Sequence, residues 1–233
     1  DVDALNAIAG MHQNGEGVTQ DYAKALEYHQ QAAKKGDVDA INAIAGMYYS
    51  AEGVKQDYTK ALEYAHQAAD KGHINAMHNI GIIYYNGYGV TQNYTQALEY
   101  YEQAADKGHV NALYNIGIMY SHGHGVTQDY TKALEYYQQA AEQGNTEAMD
   151  SIGMLYYNGQ GITLDYVKAL EYFQKAAEKG NANAMYNIGM LYYNGHGVKQ
   201  DYDKALEYAQ QAAEQGHASA LYDIGFMYYS NSN

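Results

Sequence analysis

The sequence predicts an all-α solenoid built from 36-residue helix-turn-helix repeats, and three observations carry that reading. Ala-Leu-Glu-Tyr recurs at 25–28, 61–64, 97–100, 133–136, 169–172 and 205–208, always 36 residues apart. A tyrosine stands three positions ahead of each block, from Tyr22 to Tyr202. An Ala-Ala pair and then a glycine follow each block, from Ala32-Ala33 and Gly36 to Ala212-Ala213 and Gly216. A unit of this size buries its apolar face against its neighbours, so residues 1–233 are expected to form one continuous array. Its units lie near 1–36, 37–72, 73–108, 109–144, 145–180 and 181–216, with a seventh begun at 217–233.

Residues 37–72 show how each element follows from its residues. Asp37 caps a helix A from Val38 to about Ser50. Ala40, Ile41, Ile44, Met47 and Tyr48 recur along it at helical spacing and form one apolar stripe. A tight turn follows at Glu52-Gly53-Val54. The other five repeats read Gly-x-Gly and then Val or Ile, as in Gly87-Tyr88-Gly89-Val90. The first glycine suits a left-handed helix end and the second lets the chain reverse. The valine is expected to tuck between the helices. Asp57 then caps helix B, from Tyr58 to Lys71, which Gly72 ends. Lysines near its C-terminus, such as Lys71 and Lys107, suit the helix dipole.

Position 45 and its copies are Ala9, Ala45, Gly81, Gly117, Gly153, Gly189 and Gly225. A mid-helix glycine costs about 1 kcal/mol against alanine, and a tight helix crossing would explain its recurrence. The whole pattern predicts 13 helices, paired A with B six times, a final unpaired helix A at 218–229, and no strands.

The run Ala76-x-x-x-Ile80-Gly81-x-x-Tyr84-x-x-Gly87-x-Gly89-Val90, then Ala97-Leu98-Glu99-Tyr100-Tyr101-x-x-Ala104-Ala105-x-x-Gly108, resembles the Sel-1-like repeat, a relative of the tetratricopeptide repeat. The resemblance covers nearly the whole chain. It departs from the family pattern in four ways. Tyr100 stands where the family usually has Trp, and Ile80 where it has Leu. Thr or Lys replaces a frequent Pro after the turn valine. There is no cysteine to pair the helices. The resemblance implies a right-handed superhelix of helix pairs and an adaptor or scaffold role in protein complexes.

Net charge is −14, spread evenly at two or three per unit, and all 13 cations are lysines. Nucleic acid binding needs clustered cations to displace counterions, and anionic membrane needs a basic patch, so neither partner is expected. Cysteine is absent, which removes disulfides and thiol chemistry but leaves the compartment open. Pro, Trp and Arg are absent too while Tyr is abundant, a bias with no folding explanation. No 18-residue apolar run is present, so no membrane insertion is expected. The chain starts at Asp1, within a repeat, and reads as a trimmed piece of a longer product. A soluble protein is expected, and the resemblance suggests a secreted or periplasmic one.

The Gly-x-Gly turns lack the preceding strand and the third glycine of a dinucleotide loop, so they read as turns. His122-Gly123-His124 offers two imidazoles, but nearby copies hold Asn86-Gly87-Tyr88 and Asn158-Gly159-Gln160, so no metal site is expected. His73, His109 and His217 occupy the helix-start position of Asp37 and Asn181. Glu27 and its copies repeat every 36 residues and mark a solvated face. His-Glu-x-x-His and Ser-x-x-Lys are both missing. No catalytic residue and no cofactor is expected, and the chain is read as no enzyme. A hydrolase of the type linked to cysteine-rich relatives is a remote alternative, since that subgroup's features are missing.

Tyrosines that repeat in every unit, such as Tyr28, Tyr64, Tyr84 and Tyr100, are expected to pack between helices. Two helix A positions vary instead. One reads Asn6, Asn42, His78, Tyr114, Asp150, Tyr186 and Tyr222; the next reads Ala7, Ala43, Asn79, Asn115, Ser151, Asn187 and Asp223. Variation inside a strict repeat means that packing does not dictate the residue. By resemblance to tetratricopeptide arrays, helix A lines the concave face. The candidate partner-binding residues are therefore Asn79, Tyr114, Asn115, Asp150, Tyr186, Asn187, Tyr222 and Asp223, with Tyr114, Tyr186 and Tyr222 as anchors. The expected partner is a neutral or basic protein or extended peptide, because no helix A carries a lysine to clamp carboxylates. The alternative is a structural protein that stacks end to end, through Leu221, Ile224, Phe226, Met227, Tyr228 and Tyr229 of the last helix A.

Overall fold

The computed structural model describes residues 1–220 together with Tyr222 and Asp223. Among the described residues are twelve α-helices and no strand: α1 (Val2–Asn14), α2 (Tyr22–Lys34), α3 (Val38–Ser50), α4 (Tyr58–Asp70), α5 (Ile74–Asn86), α6 (Tyr94–Asp106), α7 (Val110–His122), α8 (Tyr130–Glu142), α9 (Thr146–Asn158), α10 (Tyr166–Ala177), α11 (Ala182–Asn194) and α12 (Tyr202–Glu214). Residues 218–220, 222 and 223 are also helical, where the thirteenth helix is expected. The rest of 218–229, with the apolar stripe on which end-to-end stacking depends, lies outside the described residues.

The helix starts follow from the residues ahead of them. In every helix B the capping Asp or Asn side chain accepts from a backbone N–H three residues on, at 3.0–3.1 Å from Asp21 to Asp201. Asp37, Asn145 and Asn181 do the same for helix A at 2.7–2.9 Å. His73, His109 and His217 replace the carboxylate with a ring Nδ1 that accepts from Ala76, Ala112 and Ala220 at 3.1–3.2 Å. Helix A ends on a left-handed residue, Gly87 at φ 72° for example. In the second repeat that residue is Ala51 at φ 62°, where a side chain is strained.

The helices gather into two compact units, Asp1–Ala112 and Leu113–Asn233. In the first, each of α1 to α6 packs on its chain neighbours. Ala25, Leu26, Ile44 and Met47 form a buried cluster, with Tyr22, Val54 and Tyr64 against it, so the turn valine does tuck in. In the second, the cluster is Met149, Ala169, Phe173, Ala176, Ala184, Ile188 and Leu191. In the second to sixth helix pairs a helix A tyrosine stacks on the helix B tyrosine, as in Tyr84–Tyr100 at 6.1 Å and Tyr156–Tyr172 at 5.8 Å, and in the first His12 takes that place over Tyr28 at 5.9 Å. Lys60, Lys132, Lys168 and Lys204 lie 5.0–5.3 Å over the helix A ring. These repeated tyrosines are packing residues.

The helix A glycines have a more specific cause than a close helix crossing. A Cβ on Gly81, Gly117 or Gly153 would stand 2.5 Å from the ring of Tyr101, Tyr137 or Phe173 on helix B. The glycine makes room for a ring. At Gly189 the nearest atom is backbone instead, Ala205 O at 3.1 Å.

Candidate functional site

The second unit holds seven of the eight candidate residues, on the variable face of its helices A. They are not independent surface groups. The Tyr186 hydroxyl donates to Asp223 Oδ2 at 2.6 Å, and Asn187 Nδ2 donates to Asp150 Oδ1 at 2.9 Å. The Tyr114 hydroxyl shares a hydrogen bond with Ser151. Each pair joins one variable position to the other in the next repeat, 37 residues away. The result is a polar ladder from repeat to repeat.

The rings are also engaged. Tyr114 lies 5.7 Å from Tyr137, tilted by 38°. Tyr186 stacks on His217 at 4.4 Å and 16°. Both are half-buried, whereas Tyr222 is 81% exposed. Of the three expected anchors, then, two already hold neighbouring repeats and one stands free on the surface. Asn115 is half-buried on α7. Asn79 lies in the first unit, half-buried and hydrogen-bonded to His78.

The ladder shapes the electrostatics. Burial pushes the Asp150 carboxyl up to about 6; the Asn187 bond opposes the shift and nearby Glu147 adds to it. Burial and then the bond to Asp223 push the Tyr186 hydroxyl up to about 12. The face carries Glu147, Asp150 and Asp223, and no helix A among α1, α3, α5, α7, α9 and α11 contains a lysine.

Two partners escaped sequence reasoning. His217 both caps its helix and stacks on Tyr186. The signal is a second spacing, 31 residues, which also joins Asn6 to Asp37 at 3.0 Å and His78 to His109 at 4.2 Å within the first unit. Ser151, the partner of Tyr114, has its signal in the 37-residue spacing. His122 and His124 stack at 5.4 Å, and among the described residues no group of three metal-ligating side chains forms. Among them, too, no helix is long and apolar enough to cross a membrane.

Helix pairs repeated every 36 residues, with a repeated core and a variable helix A face, define an α-helical repeat protein. The chain belongs to the Sel1 repeat family: the Sel1 repeat model matches at 2–37, 38–73, 74–109, 110–145, 146–181 and 182–217. Proteins of this family generally act as non-catalytic scaffolds that bind other proteins. A Sel1 repeat protein from Oxalobacter formigenes is similar at 32% identity and a TM-score of 0.85, over 92% of this chain and 88% of that one. The protective antigen c5321 of uropathogenic Escherichia coli, which displays an SLR fold, is similar at 32% identity and a TM-score of 0.82. That likeness covers 97% of this chain but 49% of the antigen, so this chain spans about half its length. The immunity protein Pa5087 of Pseudomonas aeruginosa shares the fold at 21% identity and a TM-score of 0.61, over 93% of this chain and 83% of that one. No curated protein matches the sequence.

Proposed function

We propose that the chain is a non-enzymatic scaffold, one array over 1–233, that holds a neutral or basic protein or extended peptide on its concave helix A face. The supporting observation is the composition of that face. Tyr222 stands 81% exposed, Asp150 and Asp223 supply negative charge, and no lysine lies on helices α1, α3, α5, α7, α9 or α11. Rigid tyrosine area with adaptable polar groups suits a polypeptide partner. Asn79, Tyr114, Asn115, Asp150, Tyr186, Asn187, Tyr222 and Asp223 are the contact residues in this reading. Tyr222 is the anchor, and Tyr114 and Tyr186 are supports. A secreted or periplasmic location belongs to the same reading, by family resemblance, and cell fractionation checks it.

Isothermal calorimetry with matched Lys-rich and Glu-rich peptides tests the charge argument. The Lys-rich peptide should bind more tightly and weaken with added salt. Tight binding of the Glu-rich peptide would refute it.

A further inference from the structure

Six helix B residues occupy one equivalent place beside helix A, and they differ: His29, Ala65, Tyr101, Tyr137, Phe173 and Ala209. Tyr101, Tyr137 and Phe173 are rings, 0–3% exposed, each lying over a helix A glycine; the sixth repeat keeps its glycine, Gly189, opposite Ala209. The second repeat has neither partner. Ala65 replaces the ring and Ala45 replaces the glycine. The added methyl of Ala45 does not refill the space of a ring. A cavity of about 240 Å³ remains within the first unit, walled by Ala45, Ala61, Ala65, Ile82 and Ile83. An apolar cavity of about 150 Å³ is enough to hold benzene.

The cavity is open. Gly46 and Ser50 line it and are exposed, which places its mouth on helix α3. Tyr49 forms a wall, fixed edge-on by Tyr58 at 5.4 Å and Tyr88 at 5.8 Å. Asn79 supplies an amide at the rim. Where the fourth repeat keeps its ring, the cavity differs. Tyr137 fills the place and donates to Ser121 Oγ at 3.2 Å, and the remaining 230 Å³ is lined by polar His122, Gln128 and Gln160.

We infer that this pocket receives the aromatic side chain, Phe or Tyr, of a polypeptide bound to the first unit. The ring would take the place that Tyr101, Tyr137 and Phe173 fill in their own repeats, and Asn79 would meet the peptide backbone at the mouth. The inference rests on the protein-scaffold reading and adds a residue class to it. Gly46 leaves the entrance free of side chain, which a bulky residue there would close.

The test is an NMR titration of the 233-residue chain, reading the methyl groups of Ile82 and Ile83. The probes are N-acetyl-tyrosinamide, N-acetyl-leucinamide and p-cresol. The tyrosine amide should give saturable shifts and bind about tenfold more tightly than the leucine amide, given the area of the ring. The double variant Ala45→Gly, Ala65→Tyr supplies an internal ring and should abolish those shifts. Shifts that do not saturate, equal binding of the leucine amide, or shifts unchanged in the folded double variant would overturn the pocket. Tighter binding of p-cresol than of the tyrosine amide would assign it to a free aromatic molecule and overturn the polypeptide source. The probe comparison needs only the wild-type chain, so a variant that fails to fold leaves it decisive. Tyrosine amide binding without any captured protein partner would count against the scaffold reading and leave the pocket standing.

Discussion

Asp150→Asn should stabilise the protein at neutral pH. The Asp150 carboxyl titrates at about 6 in the folded chain against an ordinary 3.8, chiefly because burial penalises its charged form. Each pKa unit corresponds to about 1.4 kcal/mol, so holding the ion above pH 6 costs about 3 kcal/mol at most. Between 3.8 and 6 the folded chain keeps a proton that the unfolded chain has lost. Stability from this group is therefore present below 3.8 and is lost as pH rises through 6. Asparagine is neutral throughout, and its Oδ1 still accepts from Asn187 Nδ2 as the carboxylate does at 2.9 Å. The variant should gain about 1–3 kcal/mol at pH 7.5, and the gain should vanish near pH 3.5. Urea unfolding by circular dichroism at both pH values measures it. Because repeat arrays can unfold in stages, amide exchange at Ile152 and Ile188 gives the local readout. A loss of stability at pH 7.5, or a gain independent of pH, would refute the reasoning.

Gly117→Ala should cost about 1–3 kcal/mol despite its better helix propensity, because the new Cβ would stand 2.5 Å from the Tyr137 ring. The loss should disappear in a Tyr137→Ala background, which chemical denaturation checks. Ala51→Gly should add about 1 kcal/mol by relieving a left-handed alanine, read as a higher urea midpoint. The buried histidines should make the first unit acid-sensitive. Burial holds His29, His66 and His109 below the ordinary 6.5, and burial with the neighbouring His109 holds His78 down at about 4. Stability is then full above 6.5 and falls as pH drops toward 4, where the unfolded chain takes up protons first. His78→Asn should flatten that fall, as thermal melts at pH 7 and 5 would show.

The architecture was legible because its signals repeat. Each helix start carries its own cap, and each helix A carries the same stripe from Ile44 to Ile188. Even the roles of His73, His109 and His217 could be read from their place in the period. The reason for the helix A glycines was not legible within helix A, since the ring that needs the space sits on helix B, as Phe173 does for Gly153. The candidate face was legible as a set of variable positions, but not as a ladder. Its contacts, such as Tyr186–Asp223, run 37 residues along the chain and disappear when copies are compared column by column. The turn staple was missed for another reason. Gln56, Gln92 and Gln200 each donate to the carbonyl seven residues back at 2.8 Å, which satisfies a helix-end acceptor. Glutamine there reads as an ordinary polar turn residue until the geometry is known.

The central claim is that the helix A face holds a polypeptide. Affinity capture with the wild-type chain and with Tyr222→Ala, each followed by mass spectrometry, tests it most directly. The account predicts a protein partner of neutral or basic character that is recovered by the wild type, is lost with added salt, and is reduced by Tyr222→Ala at unchanged thermal stability. Equal recovery by both chains, or a strongly acidic partner held at high salt, would contradict it.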